Sequence, residues 1–368
     1  MPAVAVWSNR HERRNAEPGT VNDLGGHAPR AADTVVVRTT ARLHLGFLNP
    51  GSGNGRQFGS IGLSLDAPHT EVTLQRGVVA DDVGGDDTDH VVGDDAARAA
   101  GYLDTIRARL GLACAHRLRV RAAVPPHAGL GSGTQLALAV GAAVRMLHGM
   151  APDPRADAAW LGRGARSGIG VGLFTEGGVV VDGGRGAADA PPPLLARMAM
   201  PADWRVILVL DRRQAGLSGR EERAAFAALP PFPQAATDRL CRLVLMQVLP
   251  ALAESDLRAF GDGVATLQAE VGEHFARHQG GRFSSARVAA ACAALSAAGA
   301  VGVGQSSWGP TGFAFAHVNE ATQIVASALA TGAAEGLDVQ VRCARNRGAV
   351  VERTAAAPSG PEENDDGR

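Results

Sequence analysis

The chain has 368 residues, a net charge of −1 and 45% hydrophobic residues, enough for a sizeable core and about two domains, with no overall field that would favour nucleic acid or an anionic membrane. It contains no lysine, which excludes Schiff-base chemistry and leaves arginine as the only fixed cation for carboxylate or phosphate. The four cysteines, at 114, 241, 292 and 343, show no metal-binding spacing and are expected as buried thiols of a cytoplasmic protein, because residues 1–30 do not read as a signal peptide and no run has the apolar length of a membrane span.

Residues 1–32 read as a flexible leader. Strands are predicted over 34–40 and 41–49, before Pro50 and a glycine-bearing loop at 50–59. Two more follow at 61–65 and 70–74 around a Pro68 turn. The acidic stretch 80–95 reads as a solvated loop. A helix over 96–112 precedes a strand at 117–123, where apolar and charged residues alternate. Then comes the densest motif, Pro125-Pro126-His127-Ala128-Gly129-Leu130-Gly131-Ser132-Gly133-Thr134-Gln135, followed by an apolar, alanine-rich helix to about 149. Alternate glycines let backbone approach a ligand. Ser132 or Thr134 can cap the helix, whose first turn presents free N–H groups and partial positive charge. That combination suits a phosphate or diphosphate. The spacing is neither Gly-x-Gly-x-x-Gly nor a Walker loop.

Further on, a helix is expected over 153–166, a second glycine-rich turn over 167–174 and a strand over 177–184. The Gly/Ala/Pro-rich stretch 185–202 marks a domain boundary. Beyond it the pattern predicts a strand over 204–210, a helix opening at Ser218-Gly219-Arg220-Glu221-Glu222, and helices over 234–252, 255–277 and 284–298. A strand at 300–303 then enters Gly304-Gln305-Ser306-Ser307-Trp308-Gly309. After it come a strand at 313–316, a helix capped by Asn319 and a last strand at 339–342. Residues from about 355 read as a disordered tail. This order argues for two α+β domains.

Three segments together resemble the GHMP kinase superfamily: Pro-x-x-x-Gly-Leu-Gly-Ser-Gly ending at Gly133, Arg42-Leu43-His44-Leu45-Gly46, and Gly304 to Gly312. With Arg163-Gly-x-x-Ser-Gly-Ile-Gly and Gly177-Gly-Val-Val-Val-Asp-Gly-Gly, they look like the β-ribofuranosylaminobenzene 5′-phosphate synthase family. The resemblance covers about 34–350. It implies a ribosomal protein S5-like N-terminal domain (33–185) and a ferredoxin-like C-terminal domain (186–353), with 354–368 as the tail. It also implies a decarboxylating phosphoribosyltransferase of tetrahydromethanopterin biosynthesis, condensing 4-aminobenzoate or 4-hydroxybenzoate with 5-phosphoribosyl 1-diphosphate. The alternative is an ATP-dependent small-molecule kinase. Many kinases of the superfamily place an acidic base after a Ser-Gly-x unit. Here that unit is Ser167-Gly168-Ile169, and Gly170 follows.

On this reading Arg42, His44, Arg166 and Ser167 are the catalytic candidates. His127, Gly129, Gly131, Ser132, Gly133, Thr134, Gln135, Gln305, Ser306, Ser307 and Trp308 are the substrate-binding ones. Arg42, Arg163 or Arg166 would meet the arene carboxylate. His44 and His127 also read as structural residues. Trp308 either stacks on the arene or plugs the domain interface. Mg²⁺ is the expected cofactor, without identified ligands, and no organic cofactor is expected. Loop 50–59, with Gly51, Gly53 and Gly55 as hinges, is expected to close over the site. A homodimer packed through the helices at 234–277 is expected, with neither nucleic acid nor membrane as partner.

Overall fold

The computed structural model describes residues 33–51, 55–76, 89–187, 190–214, 216 and 224–354. The leader, the tail, most of 80–95 and the Ser218–Glu222 segment lie outside these residues.

Two long strands, β1 (Thr34–Asn49) and β2 (Phe58–Arg76), form an antiparallel ribbon. The breaks expected after Thr40 and around Pro68 face each other as one register shift at Thr40/Ala41, and a second shift lies at His44/Gly46, so each runs on as one bent strand. The first half of β2 pairs with β5 (Val179–Asp182) and the second with β4 (His116–Ala122). The alternation along β4 does separate buried from exposed side chains. A short strand β3 (His90–Gly93), unforeseen within the acidic stretch, pairs parallel to β4.

Helices α1 (Ala96–Leu110) and α2 (Ser132–Leu147) cover this sheet. Tyr102, Leu103 and Ile106 of α1 and the apolar side chains of α2 pack on Val35, Val37, Val72, Leu74, Leu118 and Val120. The buried Arg145 of α2 pairs with Asp157 at 2.8 Å and lies over the Trp160 ring. Asp157 sits on α3 (Pro154–Trp160), which stops well short of 166. The expected glycine-rich turn at 167–174 is largely a helix, α4 (Ile169–Thr175). Its glycines serve contact, since a Cβ at Gly170 would lie 2.9 Å from Thr134 and one at Gly172 2.5 Å from Leu194.

The expected boundary stretch 185–202 contains a strand. Strand β6 (Leu194–Met198) pairs with β5, so the first sheet persists to 198. The chain also returns at its end, where β11 (Val350–Thr354) pairs with β1. The second sheet is antiparallel in the order β10 (Asp338–Arg342), β7 (Trp204–Leu210), β9 (Gly312–His317), β8 (Val301–Gln305). With the Leu257–Gln279 and Ala286–Ala297 helices before β8 and the Ala321–Ala330 helix before β10, this is the βαββαβ ferredoxin-like arrangement. The helix expected over 234–252 carries a π-turn at Val244–Val248, next to Pro250, which lacks the N–H that would continue the ladder. Asn319 precedes rather than caps its helix, for which Glu320 is the N-cap residue. The halves share one core, in which Leu43, Leu45, Ile61 and Leu63 meet Val206, Leu208, Phe260 and Phe313.

Removing one partner of a buried ion pair strands the other charge. Asp157→Ala is expected to cost about 3 kcal/mol, read from urea unfolding; an unchanged midpoint would contradict this role for the pair.

Candidate functional site

The site lies where β1, the loop before α2 and the loop after β8 converge. Loop residues His127, Gly129 and Gly131 take left-handed backbone angles (φ 58°, 80° and 77°). Gly131 is itself the α2 N-cap residue, and neither Ser132 nor Thr134 caps the helix. Both hydroxyls thus stand in the first turn, beside the N–H groups that a helix start leaves to a ligand. The Leu130 carbonyl accepts from Arg42 N–H at 2.9 Å, which fixes the loop to β1. A Cβ on Gly129 would lie 2.3 Å from the Ser306 carbonyl oxygen, and one on Gly309 would lie 2.3 Å from Gly129 N. Some of the glycines therefore serve backbone-to-backbone docking of the two domains. Ser306 joins the three segments. Its Oγ donates to the Gly129 carbonyl at 2.8 Å and accepts from His44 N–H at 3.0 Å.

Arginines take the place that lysine cannot fill. The Arg42 side chain lies against Gly131, its Nε 2.8 Å from where a Cβ would stand. The Arg163 guanidinium is 3.3 Å from the corresponding point on Gly133. Arg163 is steadied by a hydrogen bond to the Tyr102 hydroxyl and by its position over that ring. Arg166 lies 4.5 Å above the Phe226 ring. His44 is fully buried and its Nε2 has no hydrogen-bond partner among the described residues. Burial first, then the charges of Arg42 and Arg166, push its pKa well below the usual value, so the ring is neutral.

The remaining candidates are held by protein partners. Gln135 Nε2 donates to the Gly170 carbonyl at 2.9 Å, and its Oε1 accepts from Thr39 Oγ1. Ser167 Oγ donates to Asp182, whose carboxylate also accepts from Gly168 and Gly184 N–H; burial pushes the Asp182 pKa up. Gln305 Oε1 accepts from Ser284, while its Nε2 donates to Gln279 and the Ser307 carbonyl. Ser307 has φ 57°. Trp308 is 2% exposed and packs on Phe226 and Phe275, as a plug of the interface would. Sequence reasoning missed this aromatic nest. Phe47, Phe58, Phe226, Phe275 and Trp308 touch one another, and His44 stacks obliquely on Phe47. Only Trp308 and Phe47, next to Gly46, carried any signal. A recess opens between His44, Phe47, Phe275, Gln279, Arg282 and Ser307.

Residues 52–54, including Gly53, lie outside the described residues. The ends of loop 50–59 are anchored. Gly51 abuts Phe232, and Arg56 donates to the Gly183 and Gly184 carbonyls at 2.6 and 2.7 Å. Arg220, Glu221 and Glu222 likewise lie outside the described residues. No described helix is long and apolar enough to cross a membrane.

Comparison with known proteins gives the same picture. Residues 96–178 match the GHMP kinases N terminal domain, and 248–334 match GHMP kinases C terminal. The chain is 32% identical over 333 residues to beta-ribofuranosylphenol 5'-phosphate synthase of Methanothermobacter thermautotrophicus, covering 86% of this chain and 98% of that one. It is 32% identical over 338 residues to the protein of that name in Archaeoglobus fulgidus, covering 86% and 99%. Among solved structures, homoserine kinase of Cytophaga hutchinsonii superposes with a TM-score of 0.60 at 18% identity, covering 89% of this chain and 100% of that one. Mevalonate diphosphate decarboxylase of Enterococcus faecalis gives 0.60 at 15%, covering 88% and 100%. The structural likenesses speak to the fold alone.

Gly129→Ala would force both a strained φ and a clash with Ser306. It is expected to abolish pyrophosphate binding by calorimetry, and retained affinity would remove the loop from the site. His44, His116, His148 and His274 all have pKa values lowered by burial. Below about pH 6.5 these four histidines bind more protons in the unfolded chain than in the native one, so their contribution to stability falls on acidification. Melting temperatures should decline from about pH 7 to about pH 5, and less steeply in His44→Gln; parallel profiles would exclude a neutral, buried His44.

Proposed function

We propose a reaction for a chain that belongs to the beta-ribofuranosylphenol 5'-phosphate synthase family of the GHMP kinase superfamily. The chain is an enzyme, a decarboxylating phosphoribosyltransferase. In the reaction, the bond from ribose C1 to diphosphate breaks and its electron pair leaves with the diphosphate. The arene carbon bearing the carboxylate bonds to C1. Carbon dioxide then departs, returning its bonding pair to the ring. A phenol product follows from 4-hydroxybenzoate, and 4-aminobenzoate would give the aniline counterpart. The product suits tetrahydromethanopterin biosynthesis.

The observation that carries this reading is the α2 start, bordered by Arg42 and Arg163, with Gly170 where many kinases of the superfamily place an acidic base. The loop glycines, Ser132 and Thr134 would bind the diphosphate, and Arg42 and Arg163 would stabilise it as it leaves. His127 would flank it. No proton leaves the ring carbon in this chemistry, so the missing base is no defect. A side chain at position 170 would first have to displace Thr134, which argues against the kinase alternative. Neutral His44 is suited to accept a hydrogen bond from a para-hydroxyl group, which would orient the arene. Arg166 would hold the arene carboxylate, and the aromatic nest would keep water from the cationic C1. Gln135, Ser167, Gln305, Ser306, Ser307 and Trp308 would shape the cleft around these groups.

Mg²⁺ would suit the site as a companion of the diphosphate, and the Ser132 and Thr134 hydroxyls, which do not cap the helix, would be its protein oxygen ligands. When bound it would offset diphosphate charge. We place the enzyme in the cytoplasm as a homodimer joined through the helices at 234–279, where Leu245 and Met246 are 64% and 61% exposed.

Incubation with carboxyl-labelled 4-hydroxybenzoate or 4-aminobenzoate, phosphoribosyl diphosphate and Mg²⁺ should release volatile label in step with diphosphate. ADP formation from ATP without label release would favour a kinase. Arg42→Gln should lower kcat/KM for the sugar diphosphate by on the order of a hundredfold; a near-normal value would remove Arg42 from the reaction.

A further inference from the structure

The cysteines look isolated in sequence, but folding brings Cys114 to two histidines. Cys114 Sγ lies 4.0 Å from His116 Nε2 and 3.9 Å from His148 Nε2. The two Nε2 atoms are 2.8 Å apart. The turn before β4 supplies Cys114, β4 supplies His116, and the C-cap position of α2 supplies His148. The cluster is therefore at the opposite end of α2 from the phosphate loop. Sixteen residues of helix separate the two ends, about 24 Å at 1.5 Å per residue.

We propose that Cys114, His116 and His148 form a Zn²⁺ site, with Cys114 Sγ and both Nε2 atoms as ligands and water in the fourth position. One thiolate and two imidazoles are a donor set for zinc rather than for magnesium or calcium. The surroundings support ligation. The His116 side chain is buried, and its Nδ1 lies 3.5 Å from Asp89 Oδ1, the carboxylate–histidine pairing that orients a metal-bound imidazole. Asp89 is itself fixed by Arg107 and by the His116 N–H. Cys114 and His148 are only partly buried, which gives the ion a route in. A cation there also meets the negative end of the α2 dipole.

Small movements complete the site. Tetrahedral ligation needs about 3.3 Å between the nitrogens and about 3.6 Å from sulfur to each nitrogen. The rings must part by about half an ångström while the thiol closes by slightly less. In the metal-free arrangement Arg76 approaches His148 Nδ1 at 3.3 Å. That contact places the His148 proton on Nε2, from which it bonds to His116. On zinc binding the His148 proton moves to Nδ1, Arg76 turns away, and the Cys114 thiol loses its proton to solvent. Each ion bound thus releases one proton.

The test uses the full chain without a histidine tag, stripped by chelator and titrated with Co²⁺ as a spectroscopic substitute and then with Zn²⁺. The expected result is about one ion per chain, a thiolate-to-cobalt charge-transfer band with tetrahedral d–d absorption, and displacement of both by Zn²⁺. Cys114→Ser and His148→Gln, each checked for folding by circular dichroism, should lose the band. Cys241→Ser, which removes an exposed thiol elsewhere, should keep it. Zn²⁺ should raise the melting temperature of the parent protein and of Cys241→Ser alone. Absence of the band in folded parent protein would leave only a hydrogen-bonded histidine pair and overturn the proposal, as would a band that survives Cys114→Ser or His148→Gln.

Discussion

One hydroxyl sets the geometry on which the site depends. Ser306 Oγ ties the Gly129 carbonyl of the phosphate loop to the His44 N–H of β1. It thereby fixes the C-terminal domain to both elements that would face the substrate. The His44 end of the contact is buried, so that N–H would be left unsatisfied without it. Backbone packing of Gly129 on Gly309 closes the same seam. The phosphate loop is thus shaped by both domains, and the shared core beneath it holds them in register.

The electrostatics follow from composition. Without lysine, positive charge near the loop comes from planar guanidinium groups, and each of these lies on a surface. Arg42 lies along Gly131, Arg163 over Tyr102 and Arg166 over Phe226. Stacked guanidinium groups lose less freedom when an anion arrives than an ammonium on a flexible stem. Burial first, then the charges of Arg42 and Arg166, hold the His44 pKa well below its usual value, so the same guanidinium groups also set the state of the neighbouring ring.

Much of this was legible in the residues. The alternating strand, glycine-spaced loop and apolar helix at 117–149 folded as read, because local pattern alone decides each of them. The two-domain α+β architecture followed from element order. The failures have physical causes. Gly170 and Gly172 looked like turn residues, yet they mark close approach of Thr134 and Leu194 to a helix. Strands β6 and β11 are short and carry little pattern of their own; pairing with distant partners defines them. In the site, the loop and Arg42 could be read from motifs. The aromatic nest could not, because Phe47, Phe58, Phe226, Phe275 and Trp308 meet only in three dimensions. The grouping of Cys114 with His148 was hidden in the same way, by the whole length of α2.

The pairing of β11 with β1 has a consequence for biosynthesis. During translation β1 leaves the ribosome long before its outer neighbour, because the whole second sheet lies between them in the chain. Until then β1 is the rim of its sheet, with backbone groups exposed to any other nascent chain. The N-terminal domain therefore cannot seal itself when its own residues are complete. It has to wait for the C-terminal domain to be made, which keeps that edge open throughout the making of the second sheet.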